Sequence, residues 1–343
     1  MLIAVTCKAM PNKGCEGKFI NSIACPHSMI KKFLPAIGII LFIYLASKIG
    51  WAKLYVAFAN ANVYYLLLAV VLTAFYTIIQ TIKWNMIIKR QGIYVRFYDV
   101  FVMQLKSIFY GVVTPGRIGS FIKAVYLKDK LNTNFGKAVS SVLIDKVLDT
   151  LSIFAIAFFG GLLLVNKFLN IGYAVIFVFI TILALTYVIF NKELTRKLLK
   201  AFYNKLLPQK YKEQVRESFY SFYENMPSKK SLILPFFVNI LSWIWTYSIG
   251  YTVAMSLGMK VNYFVLITMY SIASIVTLIP ITVSGIGTRE ATLVGLLAVF
   301  GVEAGKVVAM SLLAYFIAGI LPAIAGLFYI LKDEKLHKAW QES

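Results

Sequence analysis

Along the chain, apolar positions gather in long blocks separated by short, strongly basic stretches. Six blocks are of the length a helix needs to cross about 30 Å of hydrocarbon: Phe33 to Ile49, Val63 to Ile82, Val139 to Val165, Phe168 to Phe190, Leu232 to Leu257 and Val307 to Leu331. Between the second and third blocks the pattern changes to an apolar helix, a Gly/Pro break and a second helix, Tyr98 to Val113 then Ser120 to Leu127. It changes in the same way between the fifth and sixth, with Val261 to Ile279 then Thr288 to Val299. Broken backbone at membrane depth needs protein or water to take up its freed N–H and C=O groups, so each pair predicts a re-entrant helix hairpin. The expected fold is an all-α polytopic membrane protein with about six full spans and two hairpins. It would have up to eight transmembrane segments if each break lies inside one full span.

Composition sharpens this reading. At 60% hydrophobic and 14% charged residues, with a mean hydropathy of +0.77, the chain is too apolar for a soluble globule. The formal charge of +21 would suit nucleic acid, but Lys and Arg sit in the connectors, as expected beside an anionic cytoplasmic leaflet, and nucleic acid is set aside as a partner. With the N-terminus inside, the cytoplasmic segments hold Lys31, Lys32, Lys83, Lys89, Arg90, Arg96, Lys128, Lys130, Lys137, the run from Lys192 to Lys230, and Lys332, Lys335 and Lys338. The outside keeps little beyond Lys48, Lys53, Lys167, Lys260 and Lys306. This predicts a multi-pass cell-membrane protein with both termini cytoplasmic. Eight full spans would put the Lys192 to Lys230 run outside.

The domain reading is a weakly structured extension over 1–28, one membrane domain over 29–332 with halves 33–165 and 168–331, and a cytoplasmic tail over 333–343. The connector 193–230 reads as two amphipathic helices on the cytoplasmic leaflet: Leu194, Leu198, Leu199, Phe202 and Leu206 keep helical spacing, as do Tyr211, Val215, Phe219 and Phe222 after Pro208. Cys7, Cys15, Cys25 and His27 match no usual zinc spacing, so neither metal nor cofactor is expected, and no cleavable signal peptide is evident.

The two breaks resemble each other. "TPGRIGSFIKAVYL" and "VSGIGTREATLVGLL" align Ile-Gly-Ser at 118–120 with Ile-Gly-Thr at 286–288, near half the chain apart. Two halves of three spans and one hairpin each would lie inverted in the membrane, an organisation common among secondary transporters. In the first break Pro115 ends the incoming helix, Gly116 and Gly119 allow a tight turn, and Ser120 can cap the next helix. The N-terminus of that helix is a natural anion site, to which Arg117 adds a planar charge and Lys123 a second cation. Gly285, Gly287, Thr288 and Arg289 repeat the arrangement. One reading makes these residues a polar passage for an anionic headgroup; in the other, Pro and Gly merely break helices and each arginine snorkels or pairs with a carboxylate. Charges inside apolar sequence must be paired or hydrated. Lys106, Asp145, Lys146, Asp149 and Glu290 are the further candidates. Asp145 and Asp149 share a helical face and can receive Arg117, Lys123 or Arg289, or carry protons; Glu290 can serve the positive end of its own helix.

The motifs "TPGRIGSFIKAVYL", "IDKVLDTL" and "PITVSGIGTREATLVGLL", in this order and separation, resemble the membrane region of lysylphosphatidylglycerol synthases and the stand-alone flippase-like proteins of that superfamily. The resemblance covers about residues 30 to 332. It implies paired re-entrant helices and movement of a lipid or lipid-linked headgroup between leaflets. The matching positions are Pro115, Gly116, Gly119, Lys146, Asp149, Gly285, Gly287, Arg289 and Glu290. Where the family commonly has an acid after the last glycine of the first motif, this chain has Ser120, and Lys123 stands near the place of an arginine. The leading function is therefore a lipid flippase with anionic membrane lipids as partners. The alternatives are a membrane-embedded lipid-modifying enzyme, for which no nucleotide loop, Asp-rich metal motif or nucleophile is found, and a platform for a separate synthase or transferase.

Overall fold

The computed structural model describes residues 61–114, 117–131, 135–163, 191–197, 222–279 and 285–341, with positions 59, 180, 184, 187, 188, 216, 219, 220 and 282. Every regular element among the described residues is helical. The expected N-terminal extension, the first span, nearly all of the fourth and most of the connector lie outside them.

Helix α1, Val63–Arg90, starts at Asn62, whose side chain accepts from the Tyr64 amide at 3.0 Å. It ends where Gly92 turns left-handed (φ 71°) and the amides of Gly92 and Ile93 reach back to the carbonyls of Lys89 and Ile88. The sequence reading ended this helix at Ile82; the structure carries it on to Arg90. The buried stripe Thr73, Thr77, Thr81, Trp84 and Ile88 keeps helical period straight through the polar residues that lower the hydropathy there. Trp84 and Ile88 pack with Val100, Met103, Ala124, Leu127, Ala138 and Val142 from the three helices that follow.

Helix α2, Phe97–Val113, a 3₁₀ turn, Ile118–Phe121, and helix α3, Ile122–Leu131, form an antiparallel pair. Its ends are fastened at the mouth, where Asp99 on the first turn of α2 meets Lys130 on the last turn of α3 at 2.5 Å and Arg96 at 2.9 Å. The 17 residues of α2 extend about 25 Å, and the chain then returns to the end it left. Helix α4 is Phe135–Leu163, and α5, Ile233–Ser256, follows a 3₁₀ turn at Lys229–Leu232. A second pair, α6 (Tyr263–Val276) and α7 (Thr288–Ala298), precedes α8, Ala304–Tyr315. A π segment at Phe316–Ile320 joins α8 to α9, Leu321–Gln341, so the helix runs on through the stretch expected as a tail.

Among the described residues, three helical runs are long and apolar enough to cross a membrane: Val63–Arg90, Lys229–Ser256 and Ala304–Lys332. Helix α4 matches them with 29 residues, but Lys137, Asp145, Lys146 and Asp149 interrupt its first half.

The direction of each helix fixes where the pairs open. The Asn62 amide donates to the Ser256 carbonyl at 2.8 Å and Trp245 Nε1 to the Leu72 carbonyl at 2.9 Å, so α1 and α5 run antiparallel in contact. At the opposite end, Gln91 Nε2 donates to Ser140 Oγ and to the Asn225 carbonyl, joining the end of α1 to the start of α4 and to the segment that leads into α5. The α2–α3 mouth opens at this second end and the α6–α7 mouth at the first. Each pair also packs across the bundle: α2 lies on α9, and α6 lies on α4.

Both crossings come close at a glycine. A Cβ at Gly160 of α4 would run into Thr268 Oγ1, and one at Gly326 of α9 would run into the Leu105 carbonyl oxygen. The Leu105 atom is backbone, with no rotamer to relieve the clash. Gly326→Ala is therefore expected to force α2 and α9 apart, at about 1–3 kcal/mol, the usual overpacking penalty. Chemical unfolding of the detergent-purified chain measures it, and unchanged stability would contradict so close an approach.

Candidate functional site

Among the described residues the interior holds two separate ionic clusters, one beside each helix pair. In the first, Lys83 of α1 lies fully buried, with its Nζ 2.7 Å from Asp145 Oδ1 and 2.7 Å from Asp149 Oδ1. Lys123, one residue into α3, reaches the other oxygen of Asp145 at 2.6 Å and Gln104 Oε1 at 3.3 Å, and its Nζ stands 4.7 Å from the centre of the Trp84 ring. Lys146 lies 3.6 Å from Asp149 and is partly exposed. Ions at hydrocarbon depth persist only when paired in this way. Asp145 and Asp149 share one face of α4, as their spacing implied. Their partners are Lys83 and Lys123; no ion pair joins them to Arg117 or Arg289 among the described residues.

At the first tip, Arg117 adopts a left-handed backbone (φ 55°), the sole non-glycine residue to do so among the described residues. Its side chain is exposed. The tip is bound internally: the Gly119 amide donates to Thr114 Oγ1 at 2.7 Å, the Ser120 amide to the Arg117 carbonyl at 3.1 Å, and Ser107 Oγ to the Ser120 carbonyl at 3.0 Å. A Cβ at Gly119 would run into the Tyr110 carbonyl, which is why glycine stands there. Ser120 does not cap the following helix as its sequence position suggested. It sits inside the 3₁₀ turn, and its buried hydroxyl has no hydrogen-bond partner among the described residues. Pro115 and Gly116 lie outside the described residues.

The second tip differs. Gly285 and Gly287 take positive φ values of 77° and 88°, and Gly287 caps α7. Glu290, fully buried, accepts from the Gly287 amide through Oε2, and through Oε1 from Arg289 at 2.8 Å and Ser311 Oγ at 2.6 Å. Arg289 also donates to Ser311 Oγ at 2.8 Å and lies 4.9 Å from the centre of the Tyr315 ring. The Thr288 hydroxyl donates to the Gly285 carbonyl at 3.1 Å. Arg289 is thus the carboxylate-paired arginine that the sequence left as one of two options.

An aromatic column runs between the clusters. Trp243 Nε1 donates to Asp149 at 3.4 Å; the Trp243 ring lies 5.7 Å from Tyr247, which stacks on Tyr270 at 6.0 Å and 25°. Ser242 Oγ, Asn239 Oδ1 and the Tyr270 hydroxyl are buried without a hydrogen-bond partner among the described residues. The sequence reading missed Lys83, assigned to a cytoplasmic loop, and Ser311, which has no charge to mark it. The signal for Lys83 was the unbroken helical stripe on both sides of it. Lys106, the remaining candidate, is buried 4.5 Å from the centre of the Tyr126 ring.

These elements are those of a known membrane family. Over 310 residues the chain is 26% identical to a UPF0104 membrane protein of Methanocaldococcus jannaschii, covering 86% of this chain and 92% of that one. It is 26% identical over 332 residues to a UPF0104 membrane protein of Pyrococcus horikoshii, covering 90% and 98%. A UPF0104 membrane protein of Methanothermobacter thermautotrophicus is 23% identical over 326 residues, covering 88% and 92%. None of the three carries an enzymatic name. The lysylphosphatidylglycerol synthase TM region family matches residues 33–326, a stretch that contains both helix pairs and both ionic clusters, and the chain belongs to that family of multi-pass membrane proteins.

Proposed function

We propose that the chain moves a lipid with an anionic headgroup between the two leaflets, the headgroup passing the paired breaks while the lipid chains stay in the bilayer. One observation carries the reading: beside the first tip the buried Lys83 and Lys123 are matched by Asp145 and Asp149, while the partly exposed Lys146 and the exposed Arg117 add two further cations, a surplus at the accessible side that suits an anion.

The same reading takes the chain as an inverted repeat of two three-span halves, and three features support it. The helix pairs open at opposite ends, and α2 on α9 mirrors α6 on α4. Gly160 and Gly326 are 166 positions apart, and so are Asp145 and Ser311, which accept from Lys123 and Arg289 respectively. Six full spans with two re-entrant hairpins would set the first mouth at the basic, cytoplasmic face of the cell membrane.

The test is loss of inner-leaflet protection from dithionite for a fluorescent phospholipid in proteoliposomes. Wild type is expected to expose the probe well above protein-free vesicles, and Arg117→Ala to slow this about 10-fold, the equivalent of one charge-assisted hydrogen bond. Equal rates for wild type and empty vesicles would overturn the proposal. The family's naming for a synthase region favours a second reading, a membrane platform for a separate transferase. Transport by the purified chain alone would count against it, and co-purification of a transferase would count for it.

A further inference from the structure

The two tips are built alike but completed differently. At the second, the N-terminus of α7 already holds an oxyanion, the Glu290 carboxylate, gripped by the Gly287 amide, Arg289 and Ser311 Oγ. Aligning Ile-Gly-Ser with Ile-Gly-Thr puts Phe121 opposite Arg289 and Ile122 opposite Glu290, so the first tip carries no acid at that place. What it has instead is donors. Arg117 is exposed with no hydrogen-bond partner for its guanidinium among the described residues, and Ser120, 6% exposed, holds a hydroxyl with none. Both side chains border the same spot beside α2: a Cβ on Gly111 would lie 3.6 Å from Ser120 Cβ and 4.0 Å from Arg117 Cβ. Lys123 follows one turn nearer the mouth, sharing Asp145 with Lys83.

We propose that the first tip alone is the substrate's oxyanion site, taking a phosphate group between Arg117 and Ser120 where the second tip is filled by its own Glu290. A guanidinium and a hydroxyl suit tetrahedral phosphate oxygens, and the Arg117 fork can give two parallel bonds. The second tip is then a fixed support. The inference rests on the translocation reading for the source of the phosphate, but the two can fail separately.

Inorganic phosphate titrated into the full chain in a neutral detergent, with melting temperature as the readout, tests the site directly. A parallel series replaces phosphate with phosphatidylglycerol or with neutral diacylglycerol doped into the micelles. Wild type is expected to be stabilised by phosphate, by phosphatidylglycerol, or by both, and not by diacylglycerol. A response to phosphate alone means that a free oxyanion suffices; a response to the phospholipid alone means that the headgroup is held with its chains. Arg117→Ala should weaken the response about 10-fold to 100-fold. Ser120→Ala should weaken it too, while leaving the ligand-free melting temperature unchanged or raised, because it deletes an unpartnered buried hydroxyl. Ile122→Glu, which installs the acid of the second tip, should abolish it. No wild-type response to either phosphate source, a response to diacylglycerol equal to that to phosphatidylglycerol, or an unchanged response in Arg117→Ala and Ser120→Ala would overturn the site. Lipid movement indifferent to these variants would remove the site and leave the translocation reading standing; phosphate binding without lipid movement would do the reverse.

Discussion

Asp145→Asn is expected to destabilise the protein by about 3–5 kcal/mol, and adding Lys123→Met is expected to recover most of that loss. Asp145 is the shared partner of two buried lysines, Lys83 at 2.7 Å and Lys123 at 2.6 Å. Removing its charge affects them unequally. Lys83 keeps Asp149 at 2.7 Å, whereas Lys123 is left with Gln104 Oε1 at 3.3 Å and the face of Trp84. A lysine with only neutral neighbours at this depth is the costly species, so taking that lysine away as well should restore a balanced pair, Lys83 with Asp149. Lys123→Met alone should be milder than Asp145→Asn, since Asp145 then still faces Lys83. Unfolding of the three variants in one detergent forms the thermodynamic cycle. A double variant no more stable than Asp145→Asn would mean that a stranded Lys123 is not the source of the loss.

Much of the fold was legible because membrane helices leave coarse signals. The breaks at Thr114 to Arg117 and Ile279 to Gly287 were visible as Gly and Pro within apolar sequence, and the structure sets helix ends within a few residues of where the pattern put them. What misled the eye was hydropathy used without period. Lys83 and Asn85 lowered the apolar average at the end of α1 and suggested a loop, although Trp84, Ile87 and Ile88 were continuing a buried helical face. A buried lysine and a loop lysine look the same in composition; only their neighbours at three and four positions distinguish them.

The candidate site was legible as a set of residues and illegible as a set of pairs. Spacing put Asp145 and Asp149 on one face of α4 but could not say that α1, far away in sequence, delivers Lys83 to both. Local sequence did place Glu290 at a helix start, where the dipole favours an acid, and that is where it binds. It could not show that Ser311, from α8, closes the same cluster. Nor could the match between the breaks reveal their difference, because Ile-Gly-Ser and Ile-Gly-Thr agree up to the point where one tip supplies its own acid and the other does not.

That difference makes the second tip the place for the other large effect. Glu290→Ala is expected to cost about 3–5 kcal/mol, since it removes the charge partner of a buried arginine and the acceptor for the Gly287 amide together. Glu290→Gln keeps an acceptor for Ser311 and should cost less, about 1–3 kcal/mol. Replacing Arg289 and Glu290 both by Met removes the ions as a pair, and apolar substitutes for a buried pair are often neutral. The double variant should therefore recover most of the loss, but not all of it, because the Gly287 amide and the Ser311 hydroxyl would still lack the carboxylate. The shortfall is expected at about 1–3 kcal/mol, the usual penalty for an unsatisfied buried donor. Equilibrium unfolding separates the two contributions. A double variant as unstable as Glu290→Ala would show that the carboxylate matters as the cap of α7, with Arg289 incidental. A double variant at wild-type stability would show the reverse, that Glu290 is present to neutralise Arg289 and the helix end can do without it.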